Sequence, residues 1–276
     1  MKAGARGEGR GASRPVVVKI GGRAQSDPAL ARALAAAWTA APGSLVVVHG
    51  GGDEVSALQR ALGATPTFVG GRRVTSAEDI ELLRMALSGS ANKRLVSALV
   101  SRGASAIGLS GEDAALLTAA PLDPERLGHV GDPRQVNVAL LRHLLDGGYL
   151  PVISPLSRSE RASEGAGADS VVLNVNGDDA AAVLAAALEA DELLFVADVV
   201  GVLVEGCVVP ELTPVDAGQL IATGAASGGM VAKLEAALAA LASGVARVRI
   251  GDVSAIRDSA RGTVVSRDAA LSRSVA

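Results

Sequence analysis

Apolar positions along the chain fall into two alternating kinds of segment. Short runs dense in Val, Ile and Leu cover Val16–Ile20, Leu45–His49, Ala106–Ser110, Leu150–Ser154, Leu193–Asp198 and Val245–Ile250. Between them lie longer Ala- and Leu-rich segments with helical spacing: Ala29–Ala40, Glu54–Leu62, Ala77–Leu87, Ala91–Ser101, Asp179–Leu188 and Gly229–Ala242. A strand with one solvated face alternates apolar and polar residues. These short runs are largely apolar throughout, so both of their faces are expected to be covered. Covered strands separated by amphipathic helices predict an α/β fold, with a mostly parallel sheet sandwiched between helices in three layers.

The segments between these runs bear on domain organisation. No Pro/Ser-rich linker cuts residues 15–276 into independent domains, and a chain of 276 residues suits one large α/β domain or two packed lobes. Around residues 188–192 a helical run passes into a new strand, which puts a boundary between an N-lobe, 15–190, and a C-lobe, 191–276. The Gly/Ser/Glu-rich stretch Ser157–Asp169 reads as a surface hairpin or loop. Residues 1–14 are Gly/Ala/Arg-rich, lack the apolar stretch of a signal peptide, and read as a disordered tail.

Composition removes several function classes. Aromatic residues make up 1% of the chain, too few for the stacking platforms that hold single-stranded nucleic acid. A formal net charge of −3 also argues against a phosphate-backbone partner. No uninterrupted apolar run approaches the ~18–20 residues of a membrane-spanning helix. Cys207 is the single cysteine, so no intrachain disulfide forms and a reducing, cytoplasmic setting is expected. Its apolar surroundings, Val204 to Val209, predict a buried packing role.

Candidate chemistry gathers where glycines break the apolar runs. The first strand carries Lys19 near its end and breaks at Gly21-Gly22, where a glycine backbone can approach a ligand and turn N–H groups toward an anion. Lys19 alone reads either as an anion-binding cation or as an edge-strand charge. The second strand breaks at Gly50-Gly51-Gly52 before a helix, which favours an anion site at the helix start. No Gly-Lys-Ser/Thr follows, so this is not a Walker loop.

Three further motifs follow in the same manner. In Gly70-Gly71-Arg72-Arg73-Val74-Thr75-Ser76, Thr75 or Ser76 caps the next helix, with Glu78 or Asp79 completing a capping box. One arginine can then point into a site just ahead of the cap, and Arg72 is expected to face solvent. Asn174, Asn176 and Asp178 lie on one side if that segment is extended, but Asn and Asp before a helix are also ordinary capping residues, and Asp179 is expected to have only that role. Gly228-Gly229 opens a last helix, and Lys233, one turn in, can reach back to an anion held at its start.

Together, and in this order, the five motifs resemble the amino acid kinase family, and within it the members that act on N-acetylglutamate. The likeness runs from about Pro15 to about Val265. It implies an open, mostly parallel sheet, with an N-acyl-glutamate held in the N-lobe and ATP in the C-lobe. By motif position, Lys19 and Lys233 resemble the lysines that stabilise the transition state, and Asp178 the aspartate that orients both. Gly51 and Gly52 match glycines that bind substrate and phosphoryl oxygens. Arg73 matches the arginine that grips the substrate α-carboxylate, and Asn174 an amide that also contacts it. Gly21, Gly22, the segment with Asp198, Val199, Gly201 and Leu203, and then Ala225 and Ser227, match nucleotide-binding positions.

The implied reaction is ATP-dependent phosphorylation of the side-chain carboxylate to an acyl phosphate, an early step of arginine biosynthesis. A side-chain carboxylate, which ordinarily titrates near pH ~4, is already ionised at neutral pH and needs no general base, so His49 reads as structural. Mg²⁺ is expected to arrive mainly with ATP, because the sequence offers no dedicated carboxylate cage. Relatives dimerise through the N-lobe, and a homodimer is expected.

Four departures from the family pattern stand out. Gly177 stands where many relatives have alanine, and Asp179 adds a second acid. The region between residues 112 and 149 is short, leaving little room for a long hairpin lid. Arginine-inhibited relatives carry an extra N-terminal helix where this chain has its Gly-rich tail, so insensitivity to arginine is expected. Competing readings are a kinase for carrier-protein-linked aminoadipate or glutamate, one for N-succinylglutamate, and a non-catalytic nucleotide or amino-acid sensor.

Overall fold

A computed structural model of the chain describes residues 14–160 and 171–267. The tail expected at the amino end therefore lies outside the described residues but for Arg14. From there the chain forms β1 (Val16–Ile20), a 3-10 turn at Gly22–Ser26, α1 (Leu30–Ala40), β2 (Leu45–His49) and α2 (Gly52–Ala61). A short hairpin of β3 (Phe68–Val69) and β4 (Arg72–Arg73) precedes α3 (Ala77–Leu83), a π-helical stretch at Arg84–Ala91, and α4 (Asn92–Val100). Next come β5 (Ala106–Ser110), β6 (Leu117–Pro121), the single turn α5 (Pro124–Leu127), β7 (Val130–Val136), α6 (Val138–Asp146), β8 (Leu150–Ser154) and β9 (Leu156–Ser159). The second described part holds β10 (Val172–Val175), α7 (Gly177–Ala187), β11 (Glu192–Val196), β12 (Leu203–Val204), β13 (Cys207–Val208), β14 (Glu211–Leu212), α8 (Pro214–Ala222), α9 (Gly229–Ala242), β15 (Arg247–Gly251) and β16 (Thr263–Ser266).

Eight strands form one sheet in the order β14-β16-β15-β11-β1-β2-β8-β5. Only β15 and β16 pair antiparallel; the other neighbours run parallel. β2, β8 and β11 are buried along their whole length, as continuous apolar runs require when helices cover both faces. The three-layer α/β expectation therefore holds. β1 sits inside the sheet, with Val16 opposite Leu45 on one side and Glu192 on the other. That pairing joins residues on either side of 190 in one sheet, and one apolar core runs from Val17 to Val265.

A second sheet was not expected. β10, β7, β6 and β9 close into a small barrel, with its own core of Leu117, Ala119, Leu173, Val175 and Ala180. Of the two readings of Ser157–Asp169, hairpin or loop, the described part fits the hairpin, since β9 pairs antiparallel with β10, but its start is not at the surface, because Ser157 and Ser159 are buried; residues 161–169 of that stretch lie outside the described residues. The segment between 112 and 149 builds two barrel strands and α6. The hairpin bordering the cavity described below comes instead from β3 and β4, upstream of it. Pro133 and Gly131 in β7 broke the apolar pattern. The glycine is needed there, because a Cβ at Gly131 would lie 2.8 Å from the Ala119 side chain.

Two smaller expectations change. The helix ending at Leu87 and the one starting at Ala91 are joined without a break by the π-helical stretch. Cys207 is exposed in β13, because the β12–β13 hairpin stands apart as a two-stranded unit. Among the described residues no helix is long and apolar enough to cross a membrane.

Candidate active site

Three loops leave the carboxyl ends of neighbouring parallel strands β1, β2 and β11, the edge of an open α/β sheet where ligands bind. Gly21 N donates to Val196 O at 3.2 Å and Gly50 N to Ile20 O at 3.2 Å, which ties the loops to one another. From the end of β1 the Lys19 side chain runs under this edge, 13% exposed, with Nζ 2.7 Å from Asp178 Oδ1. Two glycines leave space for it. A Cβ at Gly21 would stand 2.9 Å from Lys19 Nζ, and one at Gly177 would stand 3.3 Å from Lys19 Cε. The departure at position 177 thus relaxes the packing around the lysine arm.

Asp178 does not sit on an extended segment with Asn174 and Asn176. The strand ends at Val175, and Asn176 is the N-cap of α7, its side chain accepting from Asp178 N at 2.8 Å and Asp179 N at 3.4 Å. The cap fixes the first turn of α7 and so the start point of the Asp178 side chain. Lys233 comes from the first turns of α9. Its pKa is pushed below the ordinary lysine value, mainly by burial and also by Lys19, while Asp178 and Asp198 oppose the shift. The two lysines and Asp178 are thus close enough to act on one another's charge.

The glycine loop opens α2. Gly51 has φ +152°, and a Cβ there would lie 2.5 Å from Leu87 Cδ2, so only glycine fits. Beside it Arg73 is buried, with its guanidinium 4.7 Å above the Phe68 ring. Its Nη2 donates to Gly52 O and Ser56 Oγ, both at 2.8 Å, and its Nη1 donates to Gln59 Oε1. An arginine has five N–H donors, and these contacts use three of them. Asn174 Nδ2 donates to Thr75 Oγ1 at 3.0 Å. Ser76, with Asp79, makes the capping box of α3. A cavity joins Gly50–Gly52, Arg72, Arg73, Asn174 and Gly177.

Arg72 departs from expectation. It lines this cavity and pairs with Asp179 at 2.7 Å, so it does not simply face solvent, and Asp179 does not cap α7, whose N-cap is Asn176. His49 is 1% exposed, and burial lowers its pKa. Its Nδ1–H donates to Gly50 O at 2.7 Å and its Nε2 accepts from Asn92 Nδ2 at 3.0 Å. A neutral ring so engaged positions the loop and has no free nitrogen for proton transfer.

A model of the "Amino acid kinase family" matches residues 14–252. The chain belongs to the amino acid kinase family. The acetylglutamate kinase of Chloroflexus aurantiacus is 44% identical over 244 residues, covering 88% of this chain and 93% of that one. The acetylglutamate kinase of a Roseiflexus species is 41% identical over 255 residues, 92% of this chain and 94% of its own. Among solved structures, smu.665 from Streptococcus mutans superposes with a TM-score of 0.77 at 30% identity, over 92% of this chain and 98% of that chain. Carbamate kinase from Giardia lamblia, at 17% identity and a TM-score of 0.68 over 93% of this chain and 99% of its own, shares the fold.

Other expected positions of this family member lie outside the cavity. Asp198 follows β11 and pairs with the exposed Arg23 at 3.3 Å; Val199 continues the same loop. Gly201, φ +154°, packs against Thr263, which also accepts from Val202 N, so the stretch leading to Leu203 is pinned to β16. Ala225 and Ser227 precede α9. None of these lines the cavity around Arg73. Ser56 and Gln59 were missed in the sequence, although two polar residues three apart on a buried helical face are a legible sign of a polar partner. Among the described residues no group of three His, Cys, Asp or Glu is placed to hold a metal ion.

Proposed function

We propose that the chain transfers the γ-phosphoryl group of ATP to the side-chain carboxylate of N-acetylglutamate, forming an acyl phosphate in arginine biosynthesis. The observation that carries this reading is the Lys19–Asp178 pair, with Lys233 near enough for both charges to act on it, beside a glycine cradle and an anchored arginine. The relatives named acetylglutamate kinase support the choice of acceptor. An ionised carboxylate must approach a phosphate, so the barrier is one anion meeting another, and positioned positive charge lowers it. Lys19 and Lys233 supply that charge, and Asp178 fixes Lys19 by direct contact. Gly51 and Gly52 offer backbone N–H groups to acceptor and phosphoryl oxygens, while Arg73 and Asn174 hold the α-carboxylate.

In this reading the nucleotide lies over Gly21, Gly22, the Asp198–Leu203 loop, Ala225 and Ser227, on the C-lobe side. Asp178 and Asp198 are already paired with Lys19 and Arg23, which fits Mg²⁺ held mainly by the phosphates of ATP, where it neutralises their charge. The enzyme works in the cytoplasm as a homodimer, and light scattering giving the mass of one chain would remove the second part of that statement. The reaction is tested by incubating the protein with Mg-ATP and hydroxylamine, which traps acyl phosphates. Parallel vessels hold N-acetylglutamate, N-succinylglutamate, N-acetyl-aminoadipate, glutamate and aspartate. Hydroxamate is expected mainly with N-acetylglutamate. Its absence with every free acid, from a folded protein that binds ATP, would direct the assignment to a carrier-linked acceptor or a sensor.

A further inference from the structure

Asn92 has no part in the function above, yet its side chain settles the state of the ring behind the glycine loop. It is fully buried at the start of α4. Its Nδ2 stands 2.9 Å from Val152 O on β8 and 3.0 Å from His49 Nε2. A carbonyl oxygen only accepts, so the atom facing Val152 is the amide nitrogen, and that same nitrogen faces Nε2. Nε2 therefore accepts, which places the ring proton on Nδ1. Nδ1 in turn lies 2.7 Å from Gly50 O, again an oxygen that only accepts. Two backbone carbonyls, one at each end of the chain of bonds, thus admit a single neutral tautomer of His49.

The π-helical stretch brings Asn92 to this place. The Asn92 backbone N–H donates to Leu87 O, five residues back, and Leu87 is the side chain that closes on Gly51. An α-helix sets residues three and four apart on one face. The wider turn lets Leu87 and Asn92 serve the same loop, a setting in which π-turns recur. Glycine on β5 makes room, since a Cβ at Gly108 would lie 1.9 Å from Asn92 Oδ1. We infer that Asn92 is a positioning residue for phosphoryl transfer, acting through the tautomer of His49 on the glycine loop. The locked ring holds Gly50 O. A peptide unit is planar, so holding that oxygen also sets the direction of the Gly51 N–H group. This rests on the reading of the loop as the cradle for acceptor and phosphoryl oxygens.

The test combines ring ¹⁵N spectra with steady-state kinetics on the full chain. The sequence holds three histidines, and a His129→Gln/His143→Gln background leaves His49 as the only ring to read. With Asn92 intact, Nδ1 is expected to carry the proton and Nε2 to lack it throughout about pH 6 to 9. Asn92→Leu keeps bulk but removes the donor. Mixed tautomers are expected, with kcat lower by about tenfold to a hundredfold and KM for both substrates within about threefold. Asn92→Asp puts a carboxylate against Nε2, which favours a charged ring that still donates from Nδ1 to Gly50 O. Glu54 on α2 also favours that charge and Lys93 on α4 opposes it, while Asp27, Arg94 and Arg102 line the cavity beside the ring. At pH 7 this variant is expected to keep kcat within about fivefold of wild type. Its kcat then falls as pH rises through the ring titration, because the carboxylate retains Nε2–H and Nδ1 gives up its proton. A proton found on Nε2 in the intact protein, or a tautomer unchanged by Asn92→Leu, would overturn the lock. Wild-type kcat in Asn92→Leu, or a folded Asn92→Asp no more active than Asn92→Leu, would remove the action through Nδ1. Should Asn92→Leu not fold, the spectrum of the intact protein and the pH profile of Asn92→Asp decide. A wild type that does not phosphorylate acetylglutamate would overturn the functional reading, and the positioning role with it, while its ring spectrum still decides the lock.

Discussion

At Lys233 burial and the nearby Lys19 favour loss of the proton, while Asp178 and Asp198 favour keeping it, and burial is the largest of the four. A neutral amine cannot offset phosphoryl charge, so activity is expected to fall as pH rises through the Lys233 pKa, which lies below the ordinary lysine value. Lys233→Arg should move that alkaline limb upward, since a guanidinium keeps its proton. The sign for stability is opposite. Between the lowered folded pKa and the ordinary value the native state holds fewer protons than the unfolded one, so this group's contribution to stability rises with pH. Lys233→Ala is expected to lower kcat by roughly 10²–10³, the usual cost of removing a transition-state donor, with little change in KM for acetylglutamate. Steady-state kinetics by hydroxamate formation between about pH 6 and 10 checks both statements, and an unchanged kcat would remove Lys233 from the chemistry. Lys19 and Lys233 were visible in the sequence because each stands beside a glycine pair. Arg72 and Asp179 were not. Their pairing depends on how the β3–β4 hairpin lies against α7, and no local spacing encodes that.

The first turn of α7 is the element on which the site turns, because it presents Asp178 to Lys19 and Asp179 to Arg72. Asn176 holds that turn by accepting from both aspartate N–H groups. Asn176→Ala should cost about 1 kcal/mol of stability, the ordinary worth of an N-cap. Its effect on kcat should exceed its effect on stability, because Asp178 loses its fixed starting point. Asn176→Ser, which also caps, should recover most of both, and a serine variant no better than alanine in thermal melts and kcat would show that Asn176 acts otherwise. The elements of the main sheet were legible because their strands are covered on both faces and so are written as apolar runs. The barrel strands carry Gly131, Pro133 and Pro121, and their closure rests on pairings between distant segments that leave no periodic trace. The cap itself was legible, but the extended alternative placed Asn174, Asn176 and Asp178 on one face and misread where the strand stops.

At the scale of the molecule, the described residues on either side of 190 share one central sheet. β1 hydrogen-bonds to β11 along its full length, Val16 to Ile20 against Glu192 to Val196. α7 packs on β1, β2 and β11 and also on α9, so the helix carrying Asp178 rests on elements from both sides of residue 190. If residues 15–190 opened alone, β1 would lose one ladder and its share of the common core, and α7 would lose its seat on β11. Loss of cover over so much apolar surface ties the two openings together. Unfolding in urea is therefore expected to be a single transition, with Trp38 fluorescence from α1 and far-ultraviolet circular dichroism giving coincident midpoints. Trp38 is 4% exposed and reports the packing of α1, before residue 190, whereas circular dichroism reports helices throughout. A fluorescence midpoint distinct from the dichroism midpoint would mean that the parts before and after residue 190 fold separately despite their common sheet. In that case the site would be assembled by docking, and the placing of Lys233 on α9 relative to Lys19 on β1 would depend on that docking equilibrium rather than on α7, which packs on both elements.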